Sequence, residues 1–313
     1  MAWREFLSGK RKRKDVEQFS LQLLSNIFVL NSELVSKVYR HGPYHAFKIN
    51  DPKPRDIHKA SVRDRLLHHA IYRILYLHLD QKFIFDSFSC RRAKGTHRAM
   101  NRFRDYARIV SCNHTRTAWV LKCDIRKFFT SIDHRVLKSI LRRYIKEDDT
   151  MWLLSKVIDS FHTKDRKCVG LPLGNLTSQL LANVYMNDFD HFLKRKLKIK
   201  HCVRYADDFV ILHESKKYLE SIVPTISRFL ETELKISLHP NKVFIKTIAP
   251  GVDFLGWVHF PNHRVLRTAT KKRMLRNVQA KDGKIETVQS YLGMLSHGNG
   301  YKLQRRIENE ISP

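Results

Sequence analysis

Two adjacent aspartates, Asp207 and Asp208, sit between apolar β-formers in the run Arg204-Tyr205-Ala206-Asp207-Asp208-Phe209-Val210-Ile211-Leu212. Buried in a sheet, such a pair costs several kcal/mol unless a cation compensates the charge. In a hairpin turn the same placement puts both carboxylates at one rim of the sheet, where a metal ion can sit. A third aspartate closes another apolar strand, in Leu121-Lys122-Cys123-Asp124-Ile125-Arg126-Lys127-Phe128-Phe129. Phosphoryl transfer to a primer hydroxyl uses two divalent ions about 3.5–4 Å apart, one activating the hydroxyl and one stabilising the leaving pyrophosphate. Carboxylates from two neighbouring strands can bridge such a pair, and oxygen ligands suit magnesium, with manganese as a substitute. Asp124 and Asp207 are the expected bridging ligands and Asp208 an auxiliary. Ile125 completes the expected metal-binding set. The bland reading, an Asp-rich hairpin turn, is weakened by the second carboxylate element at Asp124. Asp133, in Ser131-Ile132-Asp133 ahead of a helix, reads better as an N-cap.

The elements that must carry these residues are legible from periodicity. Residues 15–38 place Val16, Phe19, Leu23, Ile27 and Leu30 at helical spacing. Tyr44 to Ile57 reads as a strand, a turn around Pro52-Lys53-Pro54, and a return strand. Ser61 caps a second helix with Val62, Leu66, Ala70, Ile71, Ile74 and Leu75 on its buried face. A strand is expected over 118–125, helices near 134–146 and 151–161, and a long amphipathic helix from Thr177 to Leu197. A hairpin over 202–212, a helix near 216–234 and strands near 243–248 and 252–259 follow. The last 45 residues read as basic helices split by Gly283 and by Gly298-Asn299-Gly300.

Composition narrows the partner. Lysine and arginine number 59 against 30 acidic residues, a formal net charge of +29. Such a charge self-repels unless a polyanion neutralises it, and nucleic acid is the first choice, ahead of a membrane surface. No apolar run approaches the roughly 18 residues needed to cross a bilayer. No apolar stretch follows the basic cluster Lys10-Arg11-Lys12-Arg13-Lys14, so no signal peptide is read and a soluble cytoplasmic protein is expected. The five cysteines, Cys90, Cys112, Cys123, Cys168 and Cys202, lack C-x-x-C spacing, which argues against structural zinc and for reduced thiols. His41 and His45 are four apart, but Gly42-Pro43 between them breaks the helix that would align them, so they read as loop residues.

Taken together, Tyr205-Ala206-Asp207-Asp208 resembles the Y-x-D-D box of reverse transcriptases, and Asp124 with Phe128-Phe129 resembles their first catalytic motif. The match continues in order over roughly residues 44–260. Lys53-Pro54-Arg55 and Arg91-Arg92-Ala93-Lys94-Gly95-Thr96-His97 resemble the fingers motifs that grip the incoming triphosphate. Leu173-Gly174-Asn175-Leu176-Thr177-Ser178-Gln179 resembles the loop and helix under the templating base. His239-Pro240-Asn241-Lys242 resembles the motif whose lysine sits near the triphosphate, and Phe254-Leu255-Gly256-Trp257 resembles the primer grip. The substrate-binding set this implies is Lys53, Arg55, Arg91, Arg92, Phe128, Phe129, Leu173, Gly174 and Gln179. Basic side chains there would neutralise a triphosphate, although any single one also reads as a solvated basic face. In similar enzymes an aromatic at the Phe129 position stacks under the sugar and excludes a 2′-hydroxyl; one of Phe128 and Phe129 is simply core. Lys242 either protonates the leaving pyrophosphate or merely holds it.

The resemblance implies an α+β right-hand polymerase with fingers, an antiparallel palm and a helical thumb. Its expected divisions are a basic helical extension over 1–40, fingers over 41–115, palm over 116–262 with 150–175 returning to the fingers, and thumb over 263–313. Group II intron and retron-type enzymes carry Gln-Gly, three residues, then Ser-Pro in the template-base loop. This chain has Leu173-Gly174, three residues, then Ser178-Gln179, a variant that resembles diversity-generating retroelements, as does Ser290-Tyr291-Leu292-Gly293-Met294-Leu295-Ser296-His297. That family implies error-prone copying of template RNA into cDNA from a DNA primer and dNTPs, with a small oligomeric accessory protein and no membrane. One thumb without RNase H, maturase or Cys/His nuclease module is expected. An intron-derived or antiphage-defence enzyme and a non-catalytic RNA-binding palm scaffold remain as alternatives.

Overall fold

The computed structural model describes residues 1–50, 54–280 and 284–309. The chain forms two compact units that alternate along the sequence: the first comprises 1–85, 125–198 and 226–238, the second 86–124, 199–225 and 239–313. Lys53 and Gly283, both singled out above, lie outside the described residues. No described helix is long and apolar enough to cross a membrane.

In the first unit, strands β1 (His45–Ile49) and β2 (Arg55–Lys59) pair antiparallel, Phe47 opposite Ile57. His45 therefore opens an exposed strand rather than lying in a loop. The helix Val62–Asp80 starts where expected, the Ser61 hydroxyl accepting from the Asp64 amide at 3.1 Å. Its buried stripe runs through Val62, Leu66, Leu67, Ile71, Leu75 and Leu79. Ile74 was expected on it but is 73% exposed, on the side of the helix that also leaves Leu77 exposed, where no described residue covers it. The N-terminal stretch is not one helix: Lys14–Leu21 stops at Gln22, and Leu23–Val35 restarts after it.

The helix Leu176–His191 also differs from expectation. It is buried over most of its circumference, with Leu180, Leu181, Val184, Tyr185, Met186 and Phe189 buried alongside Asn183, Asn187 and Asp190, so it is the centre of the unit and not an amphipathic surface helix. The helices Val62–Asp80 and His134–Tyr144 pack against it, and a single π-turn over Phe192–Lys196 ends it. Asp133 is the N-cap of His134–Tyr144, accepting from the Arg135 amide at 2.8 Å and the Val136 amide at 3.1 Å.

The second unit holds a four-stranded antiparallel sheet of β3 (Trp119–Asp124), β4 (Cys202–Tyr205), β5 (Asp208–His213) and β6 (Phe244–Thr247), in the order β4-β5-β3-β6. Period-2 alternation sends Val120 of β3, Val203 of β4 and Val210 and Leu212 of β5 into one core with Phe103, Tyr106 and Ala107. Those last three lie on the helix Thr96–Val110, whose apolar residues recur at 3–4 spacing beneath a basic exterior.

A second sheet follows: β7 (Val252–Phe254), β8 (Trp257–His259) and β9 (Arg264–Leu266). Residues 252–259 were expected as one strand but form a hairpin, because Leu255 (φ 54°) and Gly256 (φ 84°) both adopt the left-handed conformation of a two-residue turn. Three helices, Thr268–Gln279, Ile285–Leu295 and Tyr301–Asn309, then share a core of Met274, Val278, Val288, Leu295 and Ile307 with Trp257 and Leu266. A Cβ at Gly298 would lie 2.1 Å from the Trp257 ring, so only glycine fits there.

The Asp133 cap gives a stability prediction. Asp133→Ala is expected to cost about 1 kcal/mol in a urea melt, since two helix amides lose their acceptor.

Candidate active site

The β4–β5 hairpin is closed by only Ala206 and Asp207, with Tyr205 paired to Asp208. Ala206 takes a left-handed φ of 56°, a conformation costing an L-residue roughly 1–2 kcal/mol. This tight turn holds Asp207 at the rim and makes Asp208 the first residue of β5. Across the ladder Asp208 is the register partner of Asp124, the last residue of β3. Two strands thus deliver the three aspartates, all within the second unit, to one end of the sheet.

Two lysines meet these carboxylates. Lys242 Nζ donates to Asp124 Oδ1 at 3.0 Å, while the Asp124 carbonyl accepts from the His239 amide at 2.7 Å. The segment 239–242 is thereby seated against the end of β3. Lys122 Nζ is 3.5 Å from Asp208 Oδ2. The other oxygen of Asp208, Oδ1, is buried with no hydrogen-bond partner. Burial pushes the Asp208 carboxyl up to about 7; Lys122 opposes the rise, and the charges of Asp124 and Asp207 add to it. Burial likewise pushes the thiol of Cys123, on the adjoining strand position, well above its ordinary range.

Among the described residues no three His, Cys, Asp or Glu side chains are drawn together tightly enough to hold a metal ion. The donor set nevertheless fits a hard cation: an unpartnered buried carboxylate oxygen, a neighbouring carboxylate directly across the ladder, and a raised pKa that added positive charge would reverse. Ile125 falls in the first unit, where it is buried and bridges Leu238.

The other expected site residues fall as follows. In the second unit, Arg91 Nη1 donates to the Ser87 carbonyl at 2.9 Å and Arg92 is exposed. Phe254 is fully buried against Phe103, ring centroids 5.6 Å apart, and leads into the Leu255-Gly256 turn. The Gly256 carbonyl accepts from the Arg267 amide at 3.1 Å. In the first unit, Arg55 is exposed at the start of β2. Phe128 is buried at 3% exposure and Phe129 is half-buried, which leaves Phe129 as the ring open to a ligand. The loop 171–175 is fastened to β2: the Leu173 carbonyl accepts from the His58 amide at 2.9 Å, and Asn175 Nδ2 donates to the His58 carbonyl at 2.8 Å. Gly174, at φ 102°, lies so close that a Cβ would stand 2.8 Å from Ile57. Gln179 is exposed in the first turn of the helix Leu176–His191.

Sequence reasoning missed Lys122. A lysine at the period-2 position before Asp124, on an otherwise apolar strand, was the available signal. It also missed Arg204, fully buried, whose Nη2 donates to Ser87 Oγ at 2.9 Å and Nη1 to the Ala206 carbonyl at 3.0 Å, bracing the turn from beneath.

The architecture is that of right-hand polymerases. Telomerase from Candida albicans, in a complex with a TWJ fragment of telomeric RNA, superposes with a TM-score of 0.58 at 12% identity, covering 87% of this chain and 55% of that one. Apo telomerase from Candida tropicalis, truncated from its C-terminal domain, gives 0.55 at 12% identity, covering 78% and 60%. The family described as "Reverse transcriptase (RNA-dependent DNA polymerase)" matches residues 48–259, and the chain belongs to that family. Among curated relatives, protein YkfC of Escherichia coli (strain K12) is 26% identical over 296 residues, covering 82% of this chain and 75% of the relative. The group II intron-encoded protein LtrA of Lactococcus lactis subsp. cremoris is 23% identical over 292 residues, covering 72% and 47%. The chain thus spans about half of LtrA and three quarters of YkfC.

The Asp208 carboxyl titrates near 3.8 when free and near 7 in the fold. Between those values the folded state binds the extra proton, so stability falls as pH rises through that window. Asp208→Asn removes this titration. In EDTA at pH 8 the variant is expected to be more stable than wild type by about 2 kcal/mol, roughly half the full linkage value because the side chain is still 21% exposed. Thermal melts across pH should show the gain vanish below about pH 4.

Proposed function

We propose that this protein is an RNA-directed DNA polymerase that extends a DNA primer on an RNA template, and that it performs error-prone synthesis in a diversity-generating retroelement. The observation that carries the polymerase reading is the pairing of Asp124 with Asp208 across β3 and β5, with Asp207 in the adjoining turn. Asp124, Asp207, Asp208 and the Ile125 carbonyl would hold two magnesium ions, which supply activation of the primer hydroxyl and stabilisation of the leaving pyrophosphate. The protein's own groups do the rest. The Lys242 ammonium, already beside Asp124, is placed to hold or protonate pyrophosphate. Arg55, Arg91, Arg92 and Lys53 neutralise the triphosphate. Phe129 stacks beneath the deoxyribose, and the Phe254–Gly256 turn grips the primer end. The net charge of +29 serves the template and the product duplex through their phosphates.

The mutagenic reading rests on Leu173 and Gln179. A glutamine amide at position 173 could hydrogen-bond and so check the nascent pair, whereas leucine offers only shape. Because the Leu173 carbonyl is tied to His58 and Gly174 is wedged on Ile57, a substitution at 173 changes the side chain without releasing the loop. A small oligomeric accessory protein belongs to this reading, as does a cytoplasmic location. The likeness to LtrA supports a second reading, an intron-type enzyme.

One experiment tests the catalytic assignment and a second separates the two readings. Asp207→Ala should lose primer extension by at least about 1,000-fold, an effect of several kcal/mol on the barrier, while filter binding to RNA changes less than about twofold. Normal extension would remove the catalytic assignment. On an RNA template containing all four bases, wild type is expected to misincorporate mostly opposite adenine and Leu173→Gln to lower that frequency about tenfold, a change of order 1.4 kcal/mol. Accurate copying by wild type, with its accessory protein present, would leave the intron-type reading.

A further inference from the structure

Lys122 lies two residues before Asp124, so both side chains leave the same face of β3. That face is apolar around it: Val120 precedes it on the strand, Val210 stands directly opposite on β5, and Val203 pairs with Val210 from β4. All three valines are fully buried. Lys122 itself is only 9% exposed, and an ammonium at such depth is tolerated only where partners replace its water. Two partners are present. Nζ donates to the Asp253 carbonyl at 2.8 Å and lies 3.5 Å from Asp208 Oδ2.

Asp253 is the middle residue of β7, two positions ahead of the Leu255-Gly256 turn. One side chain therefore reaches from the carboxylate hairpin to the base of the β7–β8 hairpin. The far side of that hairpin is tied in turn to the C-terminal helices: Arg267, the N-cap of Thr268–Gln279, pairs with the Asp253 carboxylate and donates its amide to the Gly256 carbonyl. Shape alone does not require a charge at 122. Methionine fills nearly the same volume, and the surrounding valines would welcome it.

We propose that Lys122 is a positioning residue for polymerisation: its ammonium sets the distance between Asp208 and the β7–β8 hairpin, and so holds the primer end in line with the carboxylates. This rests on the reading above of Asp124, Asp207 and Asp208 as catalytic and of Phe254–Gly256 as the primer grip. A residue that only fills the core would change stability. A residue that sets this distance changes turnover in molecules that remain folded.

The test is single-nucleotide extension on an RNA template, with active sites titrated by a pre-steady-state burst. Lys122→Met is expected to keep the wild-type far-UV circular dichroism and template–primer affinity. Its kcat should fall about 10- to 100-fold while KM for dNTP stays within about threefold. Lys122→Arg, which keeps the charge and donors, is expected to restore most of the loss. Asp124→Asn is the control. If Asp124→Asn is inactive and folded Lys122→Met extends at the wild-type kcat, this inference is overturned and the polymerase reading stands. If Asp124→Asn also extends normally, the reading of the carboxylates falls and takes this inference with it. Should Lys122→Met fail to fold, Lys122→Gln, which keeps a neutral donor toward Asp253, is judged by the same kcat criterion.

Discussion

Asp124 and Asp208 face each other across two strands of a sheet whose neighbouring positions are valine, leucine, isoleucine and phenylalanine. Two carboxylates on adjoining strands repel, and burial removes the water that would screen them. The surrounding arrangement answers that repulsion. Lys242 comes in from the loop after residue 238, and Lys122 rises through the core from the same strand as Asp124. Arg204 braces the hairpin turn through the Ala206 carbonyl. The sheet end is left less stable, with negative charge concentrated where a cation would neutralise it.

The first unit supplies a different kind of order. Its loop over 171–175 has no regular structure, yet it is tied to both backbone groups of His58: the His58 amide donates to the Leu173 carbonyl, and the His58 carbonyl accepts from the Asn175 side chain. Gly174 allows this by taking a left-handed conformation in a space no side chain would fit. The loop is therefore fastened by the Leu173 carbonyl and the Asn175 side chain, and neither fastening uses the side chain of Leu173.

Much of this was legible in the sequence. The strand–turn–strand around Asp207-Asp208, the strand ending at Asp124 and the cap at Asp133 all follow from residue type and spacing. What was not legible has physical causes. Leu255 in a left-handed turn carries no glycine-like signal, so two strands of three residues each read as one. The helix Thr96–Val110 hides its apolar stripe among six arginine, histidine and aspartate positions that read as a basic motif. The helix Leu176–His191 contains Asn183, Asn187 and Asp190, which suggest a solvated face, yet all three are buried because other helices surround it. Lys122 and Arg204 look like surface cations until their strands are placed, and burial by tertiary context cannot be read from local pattern.

The alternation of the two units along the chain bears on how the protein is made. Neither unit is a continuous segment: the first is not complete until Leu238 and the second draws on residues from Asp86 to the C-terminal helices. Contacts that join distant segments close slowly, and until they close their apolar faces are exposed. On the ribosome, the buried helix Leu176–His191 and its partner Val62–Asp80 must wait for each other across about a hundred residues of chain. Nascent protein would thus spend much of its synthesis with unclosed, strongly basic segments beside RNA. A product truncated before Leu238 would retain neither unit intact, and one truncated after it would lose only the second.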